Sequence, residues 1–279
     1  MLRGMIDPTG ASASPPGLSD TGLSDVGRIV QRHDPDRFLT ALFAPAARRE
    51  TLFVLYAVNH ELARAREVVS NPMLALIRLQ WWREVAEGAR RRHEVAGPLG
   101  EALDDGRLLA ADILAMIEGR EAEADGIEDM AEFDAYLQAA YGSIAVAAGR
   151  ILMADGHALN ALRGIGAAYG MAGVLRSVET VARQGRCNLP VRMLVGAGLT
   201  LAEVIADPQG AKVSQLLREL ADHGSGWLPI GRQTFPREVA AAWLPIVLAR
   251  RDLRRIPGRR IRGLADWAAI VAAAATRHV

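Results

Sequence analysis

Residues 46–67 read AARRETLFVLYAVNHELARARE, and this stretch decides the fold class. Its apolar side chains recur at helical spacing, as Leu52, Leu55 and Leu62 show, and this spacing places them on one face of an α-helix. The periodic pattern continues to about Val69. The stretch therefore predicts a long helix that contributes to a hydrophobic core.

A second helical pattern follows directly, over residues 72–92. Pro72 suits the first position of a helix, because proline lacks an N–H group that would be unsatisfied there anyway. The apolar residues Leu74, Ile77, Trp81 and Val85 form one stripe along this helix. The pattern predicts a second helix that returns alongside the first.

Helical patterns also fill most of the remaining chain, whereas alternating apolar and polar residues are scarce. We expect Asp36 to cap the first helix, and residues 188–195 are the one candidate for a short strand. No internal repeat is present, so a helical solenoid is disfavoured. The sequence predicts an all-α, single-domain bundle over residues 36–279, preceded by a flexible leader over residues 1–35. The further predicted helices span residues 36–43, 101–118, 130–153, 158–184, 201–206, 210–223, 237–250 and 264–278.

Composition excludes several classes of function. The chain has 279 residues, of which 50% are hydrophobic, and 33 basic against 32 acidic residues give a net charge of +1. This balance gives no reason to expect a nucleic-acid partner. Cys187 is the single cysteine, so an internal disulfide and a cysteine-based zinc site are excluded. No stretch has the roughly 18 consecutive apolar residues of a membrane-spanning helix, and the leader lacks the apolar core of a secretory signal, so we expect a cytoplasmic protein.

General catalytic motifs are also missing. The sequence has no glycine-rich phosphate loop with lysine, no His-Glu-x-x-His helix and no nucleophile elbow. The six histidines are dispersed, with no two of them four residues apart. We expect them to be solvent-exposed or to cap helices.

Three blocks of sequence carry a resemblance to a known family. Residues 48–67 contain RRETLFVLYAVN and ELARARE, residues 76–83 read LIRLQWWR, and residues 175–190 read LRSVETVARQGRCNLP. In this order and spacing they resemble the squalene/phytoene synthase family, over roughly residues 36–275. The resemblance implies the all-helical isoprenoid synthase bundle, whose enzymes join two prenyl diphosphates head to head.

The resemblance also implies a magnesium site. In the family, each of two helices presents a pair of aspartates four residues apart, and residues at this spacing share one helix face. Magnesium prefers hard oxygen ligands, and it bridges these carboxylates to the diphosphate. The metal neutralises the leaving group and so helps the carbon–oxygen bond to break.

This sequence departs from the family pattern at those positions. In the first motif the two aspartate positions fall on Ala63 and Glu67, and Arg64 follows the first of them. In the second motif they fall on Ser177 and Val181. One glutamate therefore remains of the four carboxylates that would face the metal.

A shifted alignment does not restore the site. No aspartate occurs between Asp36 and Asp104, and Glu179 is the one acidic residue between Asp155 and Glu203. Five arginines share this second interval, which gives it a net charge of +4. Positive charge repels a divalent cation, so prenyl transfer by the family mechanism is disfavoured. The five are Arg163, Arg176, Arg183, Arg186 and Arg192.

One branch of the family lacks the same aspartates, namely the phytoene-synthase-like assembly factors of respiratory complex I. The RLQWW block at residues 78–82, after NHELAR at residues 59–64, resembles that branch. The resemblance implies a non-catalytic protein without a cofactor. It would help to build complex I at the inner face of the energy-coupling membrane, with an assembly intermediate as its protein partner.

The eroded motifs define a candidate site. Residues on one stripe of the first long helix could form the wall of a remnant cavity, or equally a helix–helix contact with a polar end. The second motif would complete the same wall. The remnant-cavity residues are Tyr56, Asn59, Ala63, Glu67, Ser177 and Val181.

Two other functions stay open on the sequence. The chain could be a working prenyltransferase in which Arg176, Arg183 and Arg186 hold the diphosphate as guanidinium clamps, with magnesium on Glu67. Alternatively, it could bind a prenyl lipid or quinone without converting it, if the family cavity is retained.

The C-terminal third raises a membrane hypothesis. Residues 237–262 contain eight arginines and two acidic residues, a net charge of +6, and Trp227, Trp243 and Trp267 are spread through the same region. Arginine together with interfacial tryptophan suits an anionic membrane surface, and it also suits a protein partner. An ordinary amphipathic helix with a basic outer face is the third possibility.

Overall fold

The computed structural model of the protein describes residues 22–67, 72–257 and 262–279. Within these ranges the backbone forms fifteen α-helices, and the β-structure is limited to an isolated bridge between Thr234 and His278. The predicted all-α class is therefore confirmed. The helices are α1 (Asp25–His33), α2 (Pro35–Ala41), α3 (Ala46–Glu67), α4 (Pro72–Ala86), α5 (Ala96–Asp104), α6 (Ala110–Asp125), α7 (Met130–Leu137), α8 (Ser143–Ile151), α9 (Gly156–Ala182), α10 (Val191–Gly196), α11 (Leu201–Ala206), α12 (Ala211–Ser225), α13 (Ala240–Trp243), α14 (Pro245–Leu253) and α15 (Leu264–Thr276).

The two long helices α3 and α9 form the centre of the bundle. Helix α9 begins after Asp155, whose carboxylate accepts a hydrogen bond from the backbone N–H of Ala158 at 2.8 Å. Residues 165–172 of α9 are all buried, and most of them are alanine or glycine. Small side chains let α8, α12 and α14 pack closely against this helix.

A π-helical turn, Gln138–Gly142, joins α7 to α8 and fits between α6 and α9. A Cβ atom on Gly170 of α9 would lie 2.3 Å from the ring of Tyr141, and one on Gly119 of α6 would lie 2.4 Å from the backbone nitrogen of Ala140. Glycine is therefore required at both contacts. The sequence predicted a single helix over residues 130–153, and this prediction is wrong in detail because the π-helical turn separates α7 from α8.

Helix α1 precedes the start of the helical domain that the sequence predicted at residue 36. Ser24 caps it, since its hydroxyl oxygen accepts a hydrogen bond from the backbone N–H of Gly27 at 3.0 Å. Val26 and Val30 lie four residues apart and are buried against α3. The described helical domain thus begins upstream of residue 36, while residues 1–21 of the expected leader lie outside the described residues.

Helix α4 differs from its prediction in orientation and length. The buried face carries Leu79, Trp82 and Val85, whereas Leu74 and Ile77 of the predicted stripe are exposed. The helix ends at Ala86 instead of residue 92, because Gly88 adopts a backbone φ of +113° that an α-helix excludes.

The strand predicted over residues 188–195 is wrong. Residues Val191–Gly196 form the short helix α10, which follows Pro190 and buries Leu194. A strand requires a neighbouring strand for its backbone hydrogen bonds, and the described part of the chain supplies none at this place. Within the same described residues, no helix is both long and apolar enough to cross a membrane.

Candidate functional site

The first eroded motif lies on α3, where its polar residues contact two different arginines. Tyr56 is buried under the guanidinium of Arg37, which lies 5.7 Å from the ring centroid. The side-chain oxygen of Asn59 accepts a hydrogen bond from Nη2 of Arg120 at 3.3 Å. Ala63 is half-buried one turn further along. The last remnant-cavity residue of this helix, Glu67, has a helical backbone, but its side chain lies outside the described residues.

Arg120 is the centre of a buried polar network between α3, α6 and the π-helical turn. Its Nη1 atom donates to Glu123 at 2.6 Å and to the hydroxyl of Tyr141 at 3.2 Å. The hydroxyl of Tyr136 donates to the same Glu123 carboxylate at 2.7 Å. Burial raises the pKa of Tyr136 well above its ordinary value, so this phenol stays a neutral donor. The network occupies the space beside Asn59 with protein side chains.

The second eroded motif lies near the end of α9 and carries few groups that could bind a metal. The hydroxyl of Ser177 donates to the carbonyl oxygen of Val174 at 2.9 Å, and Val181 is half-buried. Alanine at position 63 and valine at position 181 offer no side-chain oxygen. These residues therefore do not fit the magnesium site that the family pattern implies, because magnesium prefers several carboxylate oxygens.

A second buried network ties α2, α9 and α14 to the segment before α15. Arg262 donates to both oxygens of Asp252, at 2.6 Å and 2.8 Å, and to both oxygens of Asp36, at 2.7–3.0 Å. Arg176 contacts Asp252 at 2.9 Å, and the hydroxyl of Tyr169 donates to Asp36 at 3.0 Å. Burial alone would lower the pKa of Arg262, but hydrogen bonds to the two aspartates raise it above its ordinary value.

These networks follow a general rule in this protein, since buried acidic residues are paired with arginine. Among the residues that the structure describes, five acidic side chains are buried, and each contacts a guanidinium. A carboxylate bound in this way is not free to ligate a cation. The pairs are Asp36–Arg262, Glu61–Arg64, Asp112–Arg150, Asp252–Arg262 and Asp266–Arg251.

The cavity between α3, α8 and α9 is small. Its walls include Arg37, Tyr56 and Tyr169, and its volume is about 20 Å³. This is room for about one water molecule, whereas pockets for organic ligands measure roughly 300–1,000 Å³. A separate surface hollow of about 270 Å³ lies beside Arg176 and Glu179 at the C-terminal end of α9. The central cavity has no space for a prenyl chain.

The three arginines proposed as diphosphate clamps have separate partners. Arg176 is paired with Asp252, and Arg183 forms an ion pair with Glu179 one turn before it. Arg186 donates to the side-chain oxygen of Gln184 at 3.3 Å. Arg176 and Arg183 thus each have an acidic partner within the protein.

Sequence reasoning did not find the arginines that fill the interior. Asp36 was expected to cap the helix predicted at residues 36–43, but Asp34 caps the corresponding helix α2, by accepting a hydrogen bond from the backbone N–H of Arg37 at 3.0 Å. Asp36 is instead buried against Arg262, which is 226 positions away. A local pattern does not reveal a pair of such separation.

Some of the arginine and tryptophan side chains that the structure describes in the C-terminal third have partners within the protein. Trp243 is buried and stacks on Phe235 with ring centroids 6.0 Å apart. Arg251 contacts the buried Asp266 at 2.8 Å. These two side chains are therefore not available to a membrane surface, while Trp227 and Trp267 are half-buried. Within the described ranges, no group of three or more His, Cys, Asp or Glu side chains is placed to hold a metal ion.

Comparison with known proteins gives a family and a set of relatives. Residues 30–269 match the family model described as "Squalene/phytoene synthase". The protein named "NADH dehydrogenase (ubiquinone) complex I, assembly factor 6" from Rattus norvegicus is 26% identical over 256 residues, covering 88% of this chain and 77% of that protein. Its Homo sapiens counterpart is 25% identical over 256 residues, covering 88% of this chain and 77% of that protein. The homologue from Drosophila melanogaster is 25% identical over 251 residues, covering 82% and 73%.

Two solved structures share the fold. A dehydrosqualene synthase in complex with ligand superposes with a TM-score of 0.69 at 14% identity, covering 90% of this chain and 94% of that one. The squalene synthase HpnC from Alicyclobacillus acidocaldarius gives a TM-score of 0.62 at 16% identity, covering 82% and 90%. These likenesses confirm the predicted isoprenoid synthase-type bundle.

Proposed function

Because this chain belongs to the squalene/phytoene synthase family, we propose that it keeps the family's helical bundle, does not catalyse prenyl transfer and assists the assembly of respiratory complex I. Relatives named as complex I assembly factors match most of the chain. In this role the protein binds a complex I assembly intermediate from the cytoplasmic side, at the inner face of the membrane. It needs neither a cofactor nor nucleic acid.

The pairing of buried carboxylates with arginine is the observation that carries the non-catalytic part of this proposal. A magnesium ion would have to separate Asp252 from Arg262 and Arg176 before it could use that carboxylate. Breaking a buried ion pair costs about 3–5 kcal/mol, and the released guanidinium groups would then repel the cation. These ion pairs satisfy the buried carboxylates of Asp36 and Asp252 without a metal ion.

The test of the proposed function is deletion of the gene in its native host. We expect less assembled complex I on native gels and slower NADH-linked respiration, with succinate-linked respiration unchanged as the internal control. Expression of the wild-type chain from a plasmid should restore both. Normal amounts of complex I in the deletion strain would refute the proposal.

Prenyl transfer remains a second candidate, favoured by the superposition on dehydrosqualene synthase and by the hollow beside Arg176 and Glu179. In that case Arg176, Arg183 and Arg186 would bind the diphosphate, with magnesium as cofactor. Purified protein incubated with farnesyl or geranylgeranyl diphosphate and magnesium should yield no squalene- or phytoene-type hydrocarbon under our proposal. Product at a steady rate would favour the enzyme.

Binding of a prenyl lipid without conversion is a third candidate. The central cavity of about 20 Å³ is too small for an isoprenoid chain. A bound lipid would therefore lie in a surface pocket, such as the one of about 860 Å³ that Leu42, Phe43 and Val271 line. Mass spectrometry of lipids that co-purify with the protein tests this candidate directly.

A further inference from the structure

Helix α4 is apolar on two opposite faces. Its inner face packs into the core through Ala75, Leu79 and Trp82, which are each at most 3% exposed. Its outer face carries Met73 and Ile77, which are 60% and 59% exposed. Leu74, adjacent to them, is 48% exposed. We call Met73, Leu74 and Ile77 the outer stripe.

Single exposed hydrophobic residues are normal on protein surfaces, whereas the largest contiguous apolar patch of a protein is often an interaction site. Ile77 lies four residues after Met73 and three after Leu74, so it neighbours both side chains and the three form a continuous surface. Helices that are apolar all round are usually covered on both sides. The outer stripe therefore indicates a face of the helix that another apolar surface covers.

The residues around the outer stripe indicate what kind of surface covers it. From Pro72 to Trp82, α4 carries no acidic residue, and its one charged side chain there is the exposed Arg78. Glu84, two turns beyond Ile77, forms an ion pair with Arg91. Half-buried Trp81 lies one turn beyond Ile77 on the same face. Aliphatic side chains with arginine and tryptophan beside them are typical of helices that lie in the headgroup region of an anionic bilayer.

We propose that the outer stripe of α4 docks this protein on an anionic lipid surface. Met73, Leu74 and Ile77 enter the acyl boundary, and Arg78 pairs with lipid phosphates, which attract cationic side chains near the surface. The inference deepens the proposed function by naming the surface that faces the membrane. It moves that surface from the C-terminal third to α4. The docking itself is measured without complex I.

The experiment is flotation of the purified full-length chain with vesicles. Wild-type protein should float with vesicles of phosphatidylcholine and phosphatidylglycerol, and less with phosphatidylcholine alone. The double variant Leu74→Gln and Ile77→Gln should lose about tenfold or more in partitioning, because two apolar side chains no longer enter the bilayer. Arg78→Gln should weaken binding to the anionic vesicles but not to vesicles of phosphatidylcholine. It should also make binding to the anionic vesicles less dependent on salt concentration.

Matched controls come from exposed apolar residues elsewhere. Ile230 is 96% exposed in a loop, and Leu264 is 83% exposed at the start of α15. Ile230→Gln and Leu264→Gln should float like the wild type, and circular dichroism should show that all variants are folded. A wild-type chain that does not float, a double variant that floats normally, or loss of binding in Leu264→Gln would each overturn the proposal. Normal complex I in the deletion strain would refute the assembly role and leave the lipid docking standing.

Discussion

Asp36 and Arg262 are 226 positions apart in the sequence, yet Nη2 of Arg262 donates to Oδ2 of Asp36 at 2.7 Å. The pair joins α2 to the segment before α15. The same guanidinium also reaches Asp252 on α14. One arginine thus connects the first and last parts of the described bundle through its interior.

Replacement of Arg262 should destabilise the protein strongly. Arg262→Met leaves the buried carboxylates of Asp36 and Asp252 without their shared partner, and breaking such a buried pair costs about 3–5 kcal/mol. Arg176 still contacts Asp252, so we expect the lower end of this range. Urea denaturation of the purified variant measures the free energy of unfolding.

The control for this prediction is an exposed ion pair. Arg28 contacts Asp25 on α1, and both side chains are largely in solvent. Arg28→Met should change the free energy of unfolding by less than about 1 kcal/mol. Equal effects of the two substitutions would show that the Arg262 network contributes no more than a surface pair.

Two glycines of α9 should respond in opposite directions to alanine. Gly170→Ala places a methyl group 2.3 Å from the ring of Tyr141, and overpacking of this kind costs about 1–3 kcal/mol. Gly173→Ala meets no atom within 4 Å, and alanine favours the helix by about 0.4–1 kcal/mol. Thermal unfolding of both variants checks the prediction, and destabilisation by Gly173→Ala would contradict the packing described for α9.

Two stacked histidines should make stability depend on pH. The rings of His33 and His60 lie 4.2 Å apart, and burial lowers the pKa of each below its ordinary value of 6.5. Near neutral pH and above, both rings are neutral in the folded and unfolded chain. As the pH falls below 6.5, the unfolded chain takes up protons more readily, so the folded state loses stability.

The histidine prediction is checked by melting temperatures between pH 7.5 and pH 5.5, a window of about one unit on each side of an unperturbed histidine pKa. His60→Gln should lose less stability over this window than the wild type. His157→Gln, at an exposed position on α9, should behave like the wild type. If the melting temperature of His60→Gln depends on pH as strongly as that of the wild type, the stacked pair is not the cause of the pH dependence.

The eroded motif positions should be dispensable for complex I assembly. Ser177→Ala removes a hydroxyl that bonds to the carbonyl of Val174, and Ala63→Ser adds a small polar group at a half-buried position. Both variants should restore complex I in the deletion strain to the wild-type level. Failure of either variant, at normal protein abundance, would show that the remnant-cavity positions take part in function.

The sequence determined the elements whose signals are local. The periodicity of residues 46–67 predicted α3 to within a few residues. The order and spacing of the three sequence blocks, which resemble the squalene/phytoene synthase family, predicted the isoprenoid synthase-type bundle. The local pattern did not decide which face of a helix is buried where both faces carry apolar residues. Helix α4 has apolar residues on both faces, so its periodicity could not show whether Leu79 or Ile77 points to the core.

The tertiary structure alone decided how the interior is filled. The motifs revealed that carboxylates were missing at positions 63, 177 and 181, because a missing side chain is visible in the sequence itself. They did not reveal that Arg120 and Arg262 occupy the interior, since their partners Asn59 and Asp36 are distant along the chain. Such pairs depend on how helices pack, and packing is a property of the whole bundle rather than of any one segment.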